Sequence, residues 1–121
     1  EPAQGLVGTP LYMSPEQAEE RPDCDERVDV WAFGVIAFEC LLGRLPFEGN
    51  TFGRLIVALC LDPLPVPSAH GIVPLGFDRW FAHACARTPA RRFTSVRHAA
   101  DELRRVCVEL PPRRRSGGAA A

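Results

Sequence analysis

The chain has 121 residues, 46% of them hydrophobic, which is enough for one domain with a buried core. Its formal net charge is −1, but residues 1–62 carry 11 acidic and 4 basic side chains, and residues 63–121 carry 4 acidic and 10 basic ones. The basic half does not interleave arginine with aromatic residues, so we expect no nucleic-acid groove. All the basic residues are arginine, which excludes any reaction that needs a lysine of this chain.

The cysteines show neither a CxxC pair nor a Cys/His spacing typical of zinc sites. They therefore predict free thiols in a reducing cytoplasm rather than disulfides. The longest apolar run, residues 28–43, is shorter than the roughly 20 residues that a membrane-spanning helix needs. We expect a cytoplasmic protein without a membrane segment in this chain.

The first predicted helix is short and well capped. Residues 1–13 are expected to form a loop, after which Ser14 is a good N-cap and Pro15 suits the first helical position. Gln17 stands three residues after the cap, as in a capping box. Glu16 places negative charge on the first turn, where the helix dipole favours it.

The strongest structural signal is the apolar segment 28–43. Only Asp29 and Glu39 are polar in it, so the helix it predicts is apolar all round and should be buried on every side. Gly43 and then Pro46 predict its end.

Further helical patterns follow this central segment, and no segment alternates convincingly like a strand. The sequence therefore predicts an all-α fold organised around residues 28–43. In chain order, the later elements are a helix within 49–61 capped by Asn50 or Thr51, a proline-rich loop over 62–76, a helix starting at 77, a final amphipathic helix ending near 110, and a disordered basic tail over 111–121.

Three separated motifs now occur in one order: GTPLYMSPEQ at 8–17, DVWAFG at 29–34 with GRLPFEG at 43–49, and CARTPARRF at 85–93. Together they resemble the lower half of the large lobe of eukaryotic-like serine/threonine protein kinases, particularly the bacterial ones. The resemblance implies the end of the activation segment at 1–13, a helical portion of the lobe at 14–110, and a tail at 111–121.

The first motif resembles the loop that receives the protein substrate. The resemblance implies that a threonine in the place of Thr9 hydrogen-bonds the catalytic aspartate and lysine of a serine/threonine kinase. It also implies that Ser14, Pro15 and Glu16 correspond to the Ala-Pro-Glu motif. The substrate-loop residues that it implies are Gly8, Thr9, Pro10 and Tyr12.

The same resemblance pairs Glu16 with a late arginine, which falls on Arg92, and a bidentate arginine suits such a clamp. Arg91 is an alternative partner, and two unpaired surface charges are a third possibility.

Asp29 matches the buried aspartate that accepts backbone N–H groups from the catalytic loop, with Trp31 and Gly34 in register. A carboxylate inside an apolar helix needs fixed donors, because an isolated buried charge is very costly. The competing interpretation is that Asp25 caps the helix and Asp29 faces water.

The residues that perform phosphoryl transfer in this family are not found in the sequence. It has no lysine, no His-Arg-Asp and no Asp-Phe-Gly, and it opens at Glu1, so we expect them, with the sites for ATP and Mg²⁺, in an upstream part. We expect a kinase fragment without catalytic residues, inactive and of doubtful stability alone. Its partners would be the N-terminal part of the kinase and proteins phosphorylated on Ser or Thr. The alternative is a non-catalytic, kinase-like binding module.

Overall fold

The computed structural model describes residues 9–109 and 112–113. The described residues are mostly helical, which confirms the all-α prediction. The helices are α1 (Pro15–Ala18), α2 (Arg27–Leu42), α3 (Phe52–Cys60), α4 (Phe77–Ala84) and α5 (Val96–Glu109), with 3₁₀ turns at Thr9–Tyr12, Pro67–Ala69 and Pro89–Arg91.

Helix α2 begins and ends where local chemistry predicts. The backbone N–H of Arg27 donates to the Asp25 carboxylate at 2.9 Å, and this satisfies one of the free donors at the start of the helix. At the other end Gly43 has φ +73° and donates its N–H to the Glu39 carbonyl at 2.8 Å. A residue without Cβ adopts this left-handed conformation at low cost, so Gly43 ends the helix as predicted.

The prediction that α2 is buried on every side is wrong for one face. Val30, Trp31 and Phe38 are buried, whereas Ile36 is 43% exposed and Leu41 39% exposed. The other described helices cover only part of the circumference of α2. Its uncovered face and α5 line an open, apolar groove of about 230 Å³ whose residues include Phe33, Ile36, Cys40, Leu41, Leu103 and Cys107.

Aromatic side chains of α4 form the centre of the core against α2. The Phe81 ring lies 5.0 Å from that of Phe38, and Phe77 stacks on Trp80 at 5.5 Å between centroids. The Trp80 indole N–H donates to the Ala99 carbonyl at 2.9 Å and so joins α4 to α5. Tilted and stacked ring pairs of this kind stabilise a core beyond the area that they bury.

One short antiparallel pair of strands departs from the sequence prediction. β1 (Val73–Pro74) lies in the proline-rich loop, and β2 (Pro112–Arg113) lies in the segment predicted as a tail. Two residues in each strand are too few to carry an alternating pattern, which is why the sequence did not indicate them. The rest of the predicted tail lies outside the described residues.

Candidate functional site

The Ser14–Pro15–Glu16 segment is held by a reciprocal cap. The Ser14 hydroxyl accepts the Gln17 backbone N–H at 3.3 Å, and the Gln17 side-chain oxygen accepts the Ser14 backbone N–H at 2.9 Å. This is the capping box that the sequence predicts. Glu16 follows this cap by two residues and is only 4% exposed, so its side chain lies in the interior.

Glu16 and Arg92 form a buried, two-pronged ion pair. Nη1 and Nη2 of Arg92 donate to the two carboxylate oxygens of Glu16, each at 2.7 Å. Arg92 donates from Nε to the Ala86 carbonyl at 2.7 Å and from Nη1 to the Arg27 carbonyl at 3.0 Å. Its guanidinium carbon lies 5.1 Å from the centroid of the Trp31 ring. The planar guanidinium therefore joins α1, the start of α2 and the 86–92 turn at one point.

This geometry decides between the partners left open by the sequence. Arg92 is 2% exposed and pairs with Glu16, whereas Arg91, one residue earlier, is exposed. The possibility of two unpaired surface charges is also excluded.

The electrostatics of Glu16 follow from two opposing effects. Burial by itself raises the pKa of the Glu16 carboxyl, whereas the hydrogen bonds from Arg92 and from the Glu16 backbone N–H lower it. The net result is a pKa below the ordinary value, since charge-assisted hydrogen bonds favour the carboxylate form. Glu16 is therefore ionised at neutral pH.

Trp31 and Gly34 both contact neighbouring elements from the buried side of α2. The Trp31 ring is fully buried and stacks on Phe47 with 5.1 Å between centroids. A Cβ atom built on Gly34 would lie 2.7 Å from the Cys85 sulfur, so α2 and the end of α4 approach closely only because Gly34 has no side chain. The Cys85 thiol donates to the Trp31 carbonyl at 3.6 Å. Both residues therefore have a structural reason to occupy these positions.

Tyr12 has a partner that the sequence reasoning missed. Its hydroxyl donates to the Glu39 carboxylate at 3.0 Å, so the 3₁₀ turn Thr9–Tyr12 is tied to the later part of α2. This hydrogen bond and the negative charge of Glu39 raise the pKa of Tyr12. The signal that could have found the pair is that Glu39 is one of only two polar residues in an otherwise apolar helix segment.

The remaining predicted substrate-loop residues are described only in part. Thr9 and Pro10 lie in the 3₁₀ turn. Gly8 lies outside the described residues, and the contact predicted for Thr9 with catalytic residues stays a prediction.

The predicted burial of Asp29 is wrong in this structure. Asp29 lies in the first turn of α2 and is exposed, while Asp25 accepts the first free N–H of the helix. The described residues place no hydrogen-bond donor on the Asp29 carboxylate. The physical reason is orientation: Val30, in the same turn, is fully buried, whereas Asp29 lies on the side of that turn that the described elements do not cover. The role implied for Asp29 in holding a catalytic loop stays a prediction.

No metal centre or membrane span is found in the part of the chain that the structure describes. No three His, Cys, Asp or Glu side chains are grouped so as to hold a metal ion. None of the helices in the same part combines the length and apolarity needed to cross a bilayer.

Comparison with known proteins identifies the family of the chain. The model of the protein kinase domain family matches residues 1–118 of the chain. The chain belongs to the protein kinase domain family. This confirms the resemblance from which the pairing of Glu16 with Arg92 was predicted.

The similar kinases include bacterial serine/threonine-protein kinases. Pkn1 of Myxococcus xanthus is 40% identical over 75% of this chain and 13% of its own length. PksC of Streptomyces coelicolor is 36% identical over 87% of this chain and 19% of its own length. PknL of Mycobacterium tuberculosis is 35% identical over 87% of this chain and 26% of its own length. The chain thus spans between 13% and 26% of these relatives.

Proposed function

We propose that this chain is the substrate-side and structural half of the large lobe of a bacterial-type serine/threonine protein kinase. The parent protein would transfer the terminal phosphate of ATP to Ser or Thr of protein substrates, with Mg²⁺ bound by its upstream part. The single observation that supports this most is the buried ion pair between Glu16 and Arg92. It holds the end of the predicted substrate loop against an arginine 76 positions later.

The substrate loop has a second anchor that supports its proposed role. Tyr12 is tied to Glu39 at one end of the 3₁₀ turn, and Ser14 caps α1 directly after it. A peptide-binding surface needs a backbone of fixed shape, because ordering a loose loop on binding costs free energy. We propose that the two anchors fix the floor on which the substrate segment lies.

We propose that the chain does not itself supply the chemical groups that the kinase reaction uses. It has no lysine, and the residues of the described part form no grouped set of metal ligands. We therefore assign no step of the transfer to these residues and propose that the chain alone is inactive. We also propose the cytoplasm as its compartment, which the free thiols of the described cysteines support.

We propose that the upstream part of the kinase covers the open side of α2. The apolar groove beside Ile36 and Leu41 would then be buried, and exposed Asp29 on the same helix would meet its donors. Exposing the apolar surface of such a groove to water costs free energy, which covering it would recover.

A chimera tests the proposal. Residues 9–109 would replace the matching segment of M. tuberculosis PknL, and transfer of phosphate from ATP would be measured on matched peptides with Ser, Thr or Tyr as acceptor. We expect transfer to Ser and Thr but not to Tyr, and none by the 121-residue chain alone. The Glu16→Gln chimera should be less active, whereas the Arg91→Gln chimera is the matched control and should keep full activity.

The thermal melt of each chimera separates a loss of function from a loss of fold. A chimera that melts cooperatively near the temperature of PknL and yet transfers no phosphate would contradict the proposal. That result would favour the alternative of a non-catalytic, kinase-like binding module. Transfer to Tyr at a rate similar to Thr would contradict the serine/threonine assignment alone.

A further inference from the structure

Thr88 lines a polar cavity that the proposed kinase function does not use. The cavity has a volume of about 280 Å³, and its walls include Arg21 and Arg27 together with Glu16, Asp23 and Asp25. Thr88 is exposed and precedes the 3₁₀ turn Pro89–Arg91, whose first N–H groups it does not cap with its side chain.

Arg27 lines this cavity with a side chain that is 32% exposed, and its guanidinium makes no hydrogen bond within the described part of the chain. Its Nε is buried and has no hydrogen-bond partner in the described part of the chain. Its Nη1 is 3.8 Å from the Asp25 carboxylate, which is too long for a hydrogen bond. A guanidinium carries five donors, so Arg27 can bind a further group of acceptor oxygens.

The acidic groups on the cavity wall are already engaged. Glu16 is neutralised by Arg92 through two hydrogen bonds of 2.7 Å. Asp23 accepts from Arg21 at 3.2 Å, and Asp25 accepts the Arg27 backbone N–H at 2.9 Å. A phosphate with nearly two negative charges attracts a guanidinium more strongly than a single exposed carboxylate does.

We propose that Thr88 is a phosphorylation site and that Arg27 and Arg21 hold its phosphate. A serine/threonine protein kinase acting on this chain would form the bond from Thr88 Oγ1 to the γ-phosphorus of ATP. The bond from that phosphorus to the bridging oxygen of ADP breaks, and the hydroxyl proton passes to a base of the acting kinase. The phosphate then bridges Thr88 to Arg27 at the start of α2 and to Arg21 in the segment before it, next to the Glu16–Arg92 pair. The proposed modification of Thr88 does not depend on whether the parent protein of this chain or another kinase phosphorylates it.

The first test measures the second ionisation of the phosphate directly. The chain is made with phosphothreonine at position 88, and its ³¹P chemical shift is followed against pH in the folded state and in concentrated urea. We expect the folded pKa to lie about 0.5 unit or more below the unfolded value near 6, because nearby arginines favour the dianion. Arg27→Gln should remove most of this difference, and Arg21→Gln part of it.

Equal pKa values in the two states would overturn the proposal, and so would a folded value that is higher because Asp23 and Asp25 repel the phosphate. A phosphorylated chain that unfolds where the unmodified chain is folded also counts against it.

The second test needs no folded phosphorylated product. The unmodified chain is incubated with ATP, Mg²⁺ and the kinase domain of PknL, and the sites are mapped by mass spectrometry. Thr51 and Thr94 are matched controls, since both are exposed but their hydroxyls bond to Arg54 N–H at 3.1 Å and to His98 Nδ1 at 3.3 Å. We expect at least tenfold more phosphate on Thr88 than on either control, and its loss in Thr88→Val. Labelling of Thr51 or Thr94 without Thr88 would overturn the proposal.

Discussion

The carboxylate of Glu16 and the guanidinium of Arg92 are 76 positions apart in the sequence and share two hydrogen bonds of 2.7 Å in the interior. Arg92 also donates to two backbone carbonyls, so the ion pair is part of a larger hydrogen-bond network. Removing one partner leaves the other as an unpaired buried charge, so the loss of either residue should destabilise the fold strongly.

Truncating Glu16 should therefore destabilise the fold strongly. We expect Glu16→Ala to lower the free energy of unfolding by about 3 kcal/mol, at the low end for a broken buried pair because Arg92 keeps its carbonyl acceptors. Urea unfolding followed by circular dichroism measures this. Arg91→Ala is the matched control and should change the free energy of unfolding by less than about 0.5 kcal/mol. Equal effects of the two substitutions would show that the pair contributes little.

Acid should weaken the fold through the same carboxyl. The folded pKa of Glu16 lies below the unfolded value of about 4.3. At a pH between these two pKa values, the unfolded state therefore binds more protons than the folded state. Stability from this group is complete above about pH 4.3 and is lost as the pH falls through the folded pKa. We expect the urea midpoint of the chain to fall more steeply between about pH 5 and pH 3 than that of Glu16→Gln. Parallel curves for the two proteins would contradict the assigned pKa direction.

The single tyrosine of the chain reports on the anchor of the substrate loop. The hydrogen bond to Glu39 and its charge raise the pKa of Tyr12 above the ordinary value of 10.0. Absorbance at the phenolate band gives this pKa without interference from another tyrosine. We expect Glu39→Gln to return it towards the ordinary value and Glu48→Gln, at an exposed acid shortly after α2, to leave it unchanged. A tyrosine that titrates normally in the parent chain would mean that the bond is not formed in solution.

Gly34 should not tolerate a side chain while Cys85 is present. The Cβ of Gly34→Ala would lie 2.7 Å from the Cys85 sulfur and 3.0 Å from Ala84 Cβ, so we expect a loss of about 1–3 kcal/mol in the free energy of unfolding. Cys85→Ala removes that sulfur, and the double variant should recover part of the loss, as a double-mutant cycle measures.

Gly53→Ala is the control for Gly34→Ala, because the nearest atom to its new Cβ is 3.9 Å away. It should be neutral or stabilising by up to about 1 kcal/mol. If Gly34→Ala is equally harmless, the close approach of α2 and α4 is not present in solution.

The sequence predicted well what depends on neighbouring residues. The capping box at Ser14, the start of α3 at Thr51 and the end of α2 at Gly43 were all indicated by residue types within one turn. The partner of Glu16 was predicted from the family resemblance. It could not be derived from spacing, since both Arg91 and Arg92 were open until the packing buried one of them.

The largest error concerned the surroundings of α2. A helix that is apolar on all sides predicts burial on all sides, but only the packing of other elements decides which of its faces they cover. The uncovered face carries Ile36 and Cys40, and exposed Asp29 lies at its start. The sequence of one helix contains no information about how many neighbours surround it.

By itself the sequence determined the helices, their caps and the kinase motifs, because those depend on backbone preferences and on contacts within one or two turns. The tertiary structure alone decided that Tyr12 meets Glu39, that Cys85 fills the space beside Gly34 and that Arg92 rather than Arg91 is buried. Contacts between distant residues arise from the way helices pack, and packing depends on the shape and volume of every side chain in the core at once.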